Sequence, residues 1–234
     1  MTQKLPKDPT LDEIRAHLAP MLPDQAAFDG WNEHAIEAAA QEAGVEAAIA
    51  KLAFSSHVDA NEMRSNIAMD MIEAWLSHVD EEMENAYPPE KLATMKIRDR
   101  ITQQIESRLA VSAPHREALR RALSVMARPS NLRTTAKLGW RTADIMWRNA
   151  GDTATDYNHY TKRTILSGVY SSTLLVFIDD QSEDYADTRA FLARRIENVM
   201  QFEKAKAKWT GKNDGVDKRF SISRFIGRLR YPAS

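Results

Sequence analysis

The chain has 234 residues, of which 43% are hydrophobic and 28% charged, and it carries a net charge of −1. That length and apolar fraction suit a globular domain with a core of its own, and the near-zero charge excludes a molecule drawn as a whole to nucleic acid or to anionic lipid. The lack of cysteine excludes disulfides, thiolate metal sites and cysteine nucleophiles.

Glycine is sparse and apolar residues recur at a spacing near 3.6, which predicts an all-α chain. Helices are expected over 10–20, 31–43, 45–54, 60–86, 89–111, 114–127, 130–150, 156–180, 183–208 and 216–230. Pro9, Pro20, Pro23, Pro88, Pro89, Pro114 and Pro129 fall at the boundaries, where the ring fits a first turn. Ser130 and Ser182 suit N-caps. Three parts are expected: a module over 1–58, a helical domain over 59–210, and a hinge with a terminal helix over 211–234. The opening "MTQKLPKDPT" lacks the apolar stretch of a secretory signal and the Arg- and Ser-rich character of an organelle leader. The run "LLVFI" is far short of a membrane span. The expectation is a cytoplasmic protein whose membrane contact is peripheral.

In the first module, "WNEHAIEAAAQEAGVEAAIAKLAF" has the form of helix, glycine turn, helix. This is similar to the helix-turn-helix of the tetracycline-repressor superfamily, and it reads equally as two helices joined at a glycine C-cap. A DNA-reading helix presents bases and polar forks to phosphates and base edges. From Asp24 to Glu62 eight acids surround one base, Lys51. The expectation is a repressor shape without electrostatics for nucleic acid. The alternative is a transcriptional regulator with a small-ligand domain.

Metal and catalytic signatures are not met. The residues three before each histidine are Ile14, Trp31, Phe54, Trp75, Ser112 and Asp156. A di-iron bundle needs two Glu-x-x-His pairs, and Asp156 with His159 supplies one carboxylate pair at most. No phosphate loop or nucleophile elbow occurs. No metal, cofactor or catalytic residue is expected.

The helix over 130–150 carries Leu132, Ala136, Trp140, Ala143, Trp147 and Ala150 at spacings of three and four. "TILSGVYSSTLLVFI" has the β-branched content of a strand but no partner to pair with. It reads as a helix apolar on most sides, central and buried. The two helices are expected to form a hairpin across "GDTATD". At the joint, Asp156 opens the second helix, Tyr157, His159 and Tyr160 cluster, and Met146, Trp147 and Arg148 end the first helix. Two readings stand: aromatics covering the end of the core, or an interface patch of Met, aromatic and Arg.

After the hinge "GKNDG", residues Phe220, Ile222, Phe225, Ile226 and Leu229 form an apolar side of a basic helix that also carries Arg219, Arg224 and Arg228. From Glu203 onward nine bases face three acids. This pattern suits a helix lying in a membrane interface, or one docked on its own domain or on a second subunit.

The stretch "AGDTATDYNHYTKRTILSGVYSSTLLVFIDDQSEDYADTRAFLARRI" resembles the C-terminal region of the ubiquinone biosynthesis accessory protein family, the ninth coenzyme Q biosynthesis protein. The resemblance runs from about Leu138 to Val199. It implies a tetracycline-repressor-like bundle with a vestigial helix-turn-helix and a C-terminal amphipathic helix. It also implies an apolar pocket for an isoprenoid lipid or ubiquinone precursor, with Trp140, Ile165, Val169 and Leu174 placed near it. A patch of Met146, Asp156, His159 and Tyr160 would contact the di-iron demethoxyubiquinone hydroxylase, with His159 standing where a tryptophan is expected. By analogy the chain would pair as a homodimer and sit peripherally on the inner membrane of a bacterium.

Overall fold

In the computed structural model, residues 5–55, 66–153 and 157–211 are described, with backbone alone at 157, 158 and 202–211. Every regular element among them is helical. The chain divides into two compact units, Met1–Ala193 and Arg194–Ser234.

In the first unit, α1 (Leu11–Leu18) opens on a capping box. Thr10 Oγ1 accepts from the Glu13 amide at 3.2 Å, and Glu13 Oε2 accepts from the Thr10 amide at 2.7 Å. A second helix, α2 (Leu22–Asp29), occupies residues expected to be a connection. Pro20 and Pro23 suggested a break there. Pro23 instead sits in the first turn, where its missing N–H costs nothing. α3 (Glu33–Ala43) starts at Asn32, whose side chain accepts from the amides of His34 and Ala35. It ends at Gly44 with φ +69°, and the Val45 amide reaches back to the Ala40 carbonyl at 2.9 Å. This is the Schellman stop that a glycine permits. α4 (Ala47–Ala53) follows at once.

α5 (Ile67–Ala86) is the long central helix, capped by Asn66. Trp75 on α5 is buried and stacks on Trp31 with centroids 5.5 Å apart. The Trp31 indole donates to the Ala118 carbonyl at 3.0 Å, so three segments meet at one aromatic pair. The helix expected over 89–111 is two helices, α6 (Pro89–Ala93) and α7 (Ile97–Ser112). No glycine or proline marks the break. Arg100 stabilises it by donating to the carbonyls of Ala93, Met95 and Ala150, groups that a continuous helix would have used or left elsewhere.

α8 (Arg116–Met126) is followed by α9 (Leu132–Asn149) and α10 (Tyr157–Phe177). Ser130 is not an N-cap: it lies in a short 3-10 turn, and α9 begins after Asn131 without a side-chain cap. Ser182 precedes a 3-10 turn that it does not cap with its side chain, and its Oγ instead accepts from the Asp187 amide in the first turn of α11 at 3.0 Å. α11 (Ala186–Gly211) runs from the first unit into the second. In the second unit, helix continues from Arg194 to Gly211.

α9 and α10 form an antiparallel hairpin. Cross-links pair 144 with 163, 147 with 162 and 139 with 167. The buried side of α9 is Leu138, Thr142, Ala143, Met146 and Ala150. The expected stripe is therefore rotated: Leu132 and Ala136 are exposed, and Trp140 and Trp147 are half-buried. Neither is α10 covered on most sides. Leu166, Val169, Tyr170, Thr173, Leu174 and Phe177 are buried, while Thr164, Gly168, Ser171 and Leu175 lie open. The small polar residues interleaved in the run form a genuine outer face, which counting apolar content alone conceals.

Candidate functional site at the tip of the α9–α10 hairpin

Gly151 ends α9 with φ +88°. The Asp152 amide returns to the Trp147 carbonyl at 2.9 Å, so the joint opens with a second Schellman stop. A Cβ at Gly151 would meet Arg100 Nη1 at 3.3 Å, so both conformation and space select glycine.

Beneath the joint lies a buried charge cluster. The Arg163 side chain is 1% exposed. Its Nε donates to Asp144 Oδ1 at 2.5 Å, and its Nη1 donates to Asp152 Oδ2 at 3.2 Å and to the His159 carbonyl at 3.1 Å. Lys162 donates to the other Asp152 oxygen at 2.6 Å. Burial opposes ionisation of Asp152, but Lys162 and Arg163 outweigh it and hold the carboxyl below its usual range. Arg148 pairs with the second Asp144 oxygen at 2.8 Å. Two carboxylates thus meet three cations, and the helices are locked in register.

Above this base lie the rings. Trp140 stands 5.8 Å from Tyr160 and 6.2 Å from His159, and His159 meets Tyr160 edge-on at 5.1 Å. Tyr160 is 61% exposed. Lys162 Nζ lies 5.2 Å over the Trp147 ring. The arrangement presents a cluster of mutually tilted rings on a rigid support, with the polar edges that interfaces favour.

The expected patch residues separate in the structure. His159 and Tyr160 come together. Met146 does not reach the surface: its side chain is fully buried, and its carbonyl accepts from Gln104 at 3.1 Å, so it supports the patch from below. Asp156 lies outside the described residues. Trp140, expected beside a pocket, packs with the patch rings. Of the other expected pocket residues, Val169 and Leu174 are buried and Ile165 is half-buried, all three on α10. A described cleft of about 120 Å³ lies elsewhere, between α1 and α5, lined by Arg15, Ala19, Ser77, His78 and Glu81 among others. Phe220, Ile222, Phe225, Ile226 and Leu229 lie outside the described residues. Arg163 and Asp144 were not anticipated, and Asp152, which suited local turn bonding, instead accepts from Lys162 and Arg163. The signal was present, since Arg163 and Asp144 sit at mirrored positions around the joint, but register is needed to see it.

The one base between Asp24 and Glu62 is occupied. Lys51 Nζ is 2.5 Å from Glu37 and 3.2 Å from Glu33. Around it α4 exposes Glu46, Ala47, Ala48, Ile49 and Leu52, a surface with nothing to offer a phosphate. Among the described residues no group of three or more His, Asp or Glu side chains could hold a metal ion. Among them, too, no helix is long and apolar enough to cross a membrane.

The chain is similar to known proteins over the part that holds the hairpin. A family model described as COQ9 matches residues 132–203, which contain the hairpin. The chain is 35% identical over 171 residues to the mitochondrial ubiquinone biosynthesis protein COQ9 of Rattus norvegicus, covering 73% of this chain and 54% of that protein. It is 32% identical over 171 residues to the Homo sapiens counterpart, covering 73% and 52%. The Drosophila melanogaster counterpart aligns over 226 residues at 23% identity, covering 94% of this chain and 65% of that protein. The chain therefore spans about half the length of the mammalian relatives it matches. In fold, a TetR transcriptional regulator from Nitrosomonas europaea superposes with a TM-score of 0.60 at 18% identity, covering 81% of this chain and 99% of that one. The fold is tetracycline-repressor-like.

Proposed function

Because residues 132–203 match the COQ9 family model, we propose that the chain serves ubiquinone biosynthesis as an accessory protein of that family, without chemistry of its own. It binds an isoprenoid quinone precursor and presents it to the di-iron demethoxyubiquinone hydroxylase at the membrane. The observation that carries this reading is the aromatic cluster of half-buried Trp140 and His159 with exposed Tyr160 on a hairpin locked by Arg163. A patch so placed favours docking to a protein, and aromatic anchors supply most of the binding energy in such contacts. Val169 and Leu174 give the adjoining interior the apolar character a polyprenyl tail needs, at about 25 cal/mol per Å² of surface covered.

The relatives are mitochondrial proteins by name. For this chain the reading is a peripheral protein on the inner membrane of a bacterium, with residues 216–234 making the contact. Leu175, 60% exposed on α10, favours a second copy as a further partner.

Native mass spectrometry of the full chain tests the proposal. Bound isoprenoid lipid, capture of the hydroxylase and dimer mass are expected, together with accumulation of demethoxylated quinone in a deletion strain. A lipid-free protein and an unchanged quinone pool would overturn it. Removal of residues 216–234 is expected to weaken liposome binding.

A further inference from the structure

We infer that Arg108 and Tyr170 form a polar anchor for a neutral oxygen on the head of the bound lipid, a quinone carbonyl or its phenolic precursor. The inference rests on the lipid-binding reading above and assigns the chemistry of its inner end.

Arg108 on α7 is fully buried. Its Nη1 donates to Asp80 Oδ1 on α5, and its Nε donates to the Tyr170 hydroxyl on α10 at 3.0 Å. The guanidinium also lies 5.0 Å from the Tyr170 ring centroid. Its Nη2 is buried and has no hydrogen-bond partner. A buried donor left unpaired is unfavourable, and such exceptions call for an acceptor that arrives from outside. Tyr170 adds a second polar group at the same point, since its hydroxyl oxygen accepts from Arg108 and leaves its own hydrogen to donate.

Charge decides what kind of oxygen fits. Asp80 neutralises Arg108 directly. Arg141 lies 3.9 Å from the other Asp80 oxygen and is paired with Glu73 at 3.0 Å. Arg15 comes within 4.0 Å of the second Glu73 oxygen, and Glu84 is close enough to Asp80 for the two charges to oppose each other, so three arginines meet three carboxylates and the cluster carries no surplus positive charge for a phosphate. A neutral acceptor gains the unused N–H without upsetting that balance. Tyr170 follows Val169 and precedes Leu174 on the buried side of α10, so a head held here lies next to apolar side chains suited to its tail. Flexible side chains one turn from the anchor's own and neighbouring residues are available to repack. Met83 lies one turn along α5 from Asp80, and Met146 is tied through its carbonyl to Gln104, one turn before Arg108. Both are buried, and unbranched thioethers repack readily around a ligand.

The test titrates the full chain with a short-tailed ubiquinone, with an isoprenoid hydrocarbon of the same tail length, and with phosphatidylglycerol of matched apolar area. Wild type is expected to favour the quinone over the hydrocarbon at least tenfold. Arg108→Gln and Tyr170→Phe should abolish that preference and leave hydrocarbon affinity unchanged. If Arg108→Gln does not fold, because Asp80 loses its partner, Tyr170→Phe decides alone, since it retains the Arg108–Asp80 pair. Equal affinity of wild type for quinone and hydrocarbon overturns the anchor, as does a preference that survives in Tyr170→Phe or a stronger affinity for phosphatidylglycerol. Binding of none of the three overturns the lipid-binding reading itself.

Discussion

Arg163 on α10 reaches across the hairpin to Asp144 on α9, with its Nε 2.5 Å from the carboxylate and its side chain 1% exposed. Removing one member of a buried ion pair leaves the other charge in low dielectric without compensation. Arg163→Ala is therefore expected to cost about 3–5 kcal/mol of stability, read by urea denaturation. Arg163→Lys restores the charge but not the fork that joins Asp144, Asp152 and the His159 carbonyl, so only part of the loss returns.

Acid should destabilise the fold for a specific reason. Asp152 is held below its ordinary pKa by Lys162 and Arg163, against the effect of burial. Asp180 is lowered as well: burial opposes ionisation, and hydrogen bonds from Ser182 and Thr188 outweigh it. A group depressed in the folded state contributes stability that is complete above its unfolded pKa, about 4, and that disappears as pH falls through the folded value. The urea midpoint is expected to fall progressively below about pH 4, and Asp152→Asn should reduce that slope.

Asp180 has a separate mechanical role at the start of α11. One oxygen accepts from the Ser182 amide at 2.8 Å and from its hydroxyl, and the other accepts from the Thr188 amide at 2.8 Å and its hydroxyl at 2.6 Å. Asp180→Ala leaves these donors unpaired, and a loss of about 1–3 kcal/mol in thermal or chemical denaturation is expected. The adjoining residues Asp184 and Tyr185 sit at φ +52° and +56°, which the same bonds help to hold.

Much of this architecture was legible in residues read singly. Gly44 and Gly151 announced the stops of α3 and α9, because only glycine enters the required backbone region without cost. The hairpin itself followed from two apolar runs around "GDTATD". Less visible was anything that depends on a distant partner. The break between α6 and α7 has no glycine or proline to mark it; Arg100 stabilises it by binding the carbonyls of Ala93 and Met95 ahead of α7 together with that of the distant Ala150. The α9 stripe was rotated because Leu138, Thr142 and Met146, outside the expected stripe, share the buried side with Ala143 and Ala150, while Leu132 and Ala136 do not. Helical spacing gives a face but not which face is covered. The role of Arg163 emerged only once α9 and α10 were in register.

Tyr160 offers a test that separates docking from folding. With 61% exposure, its loss should change stability by less than about 0.5 kcal/mol. Under the proposed function, Tyr160→Ala should weaken hydroxylase capture at least tenfold, and Trp140→Ala should do so too. A surface-plasmon titration against the purified hydroxylase checks both, and unchanged affinity in Tyr160→Ala would remove the patch from the interface.

The N-terminal module gives a further expected outcome. Lys51 is held by Glu33 and Glu37, so no free cation stands on α4 among the described residues. A gel shift with genomic fragments at low salt should show no retarded band. A band that vanishes steeply with added salt would favour the regulator reading instead.

Arg100 binds the Ala150 carbonyl at 2.7 Å while holding Ala93 and Met95 with its other nitrogens. One planar group therefore makes the tip of the hairpin and the gap at Thr94–Lys96 a single mechanical joint. A partner that presses on the rings has to load that gap as well, so the site where contact is made and the site where the strain is felt belong to different helices.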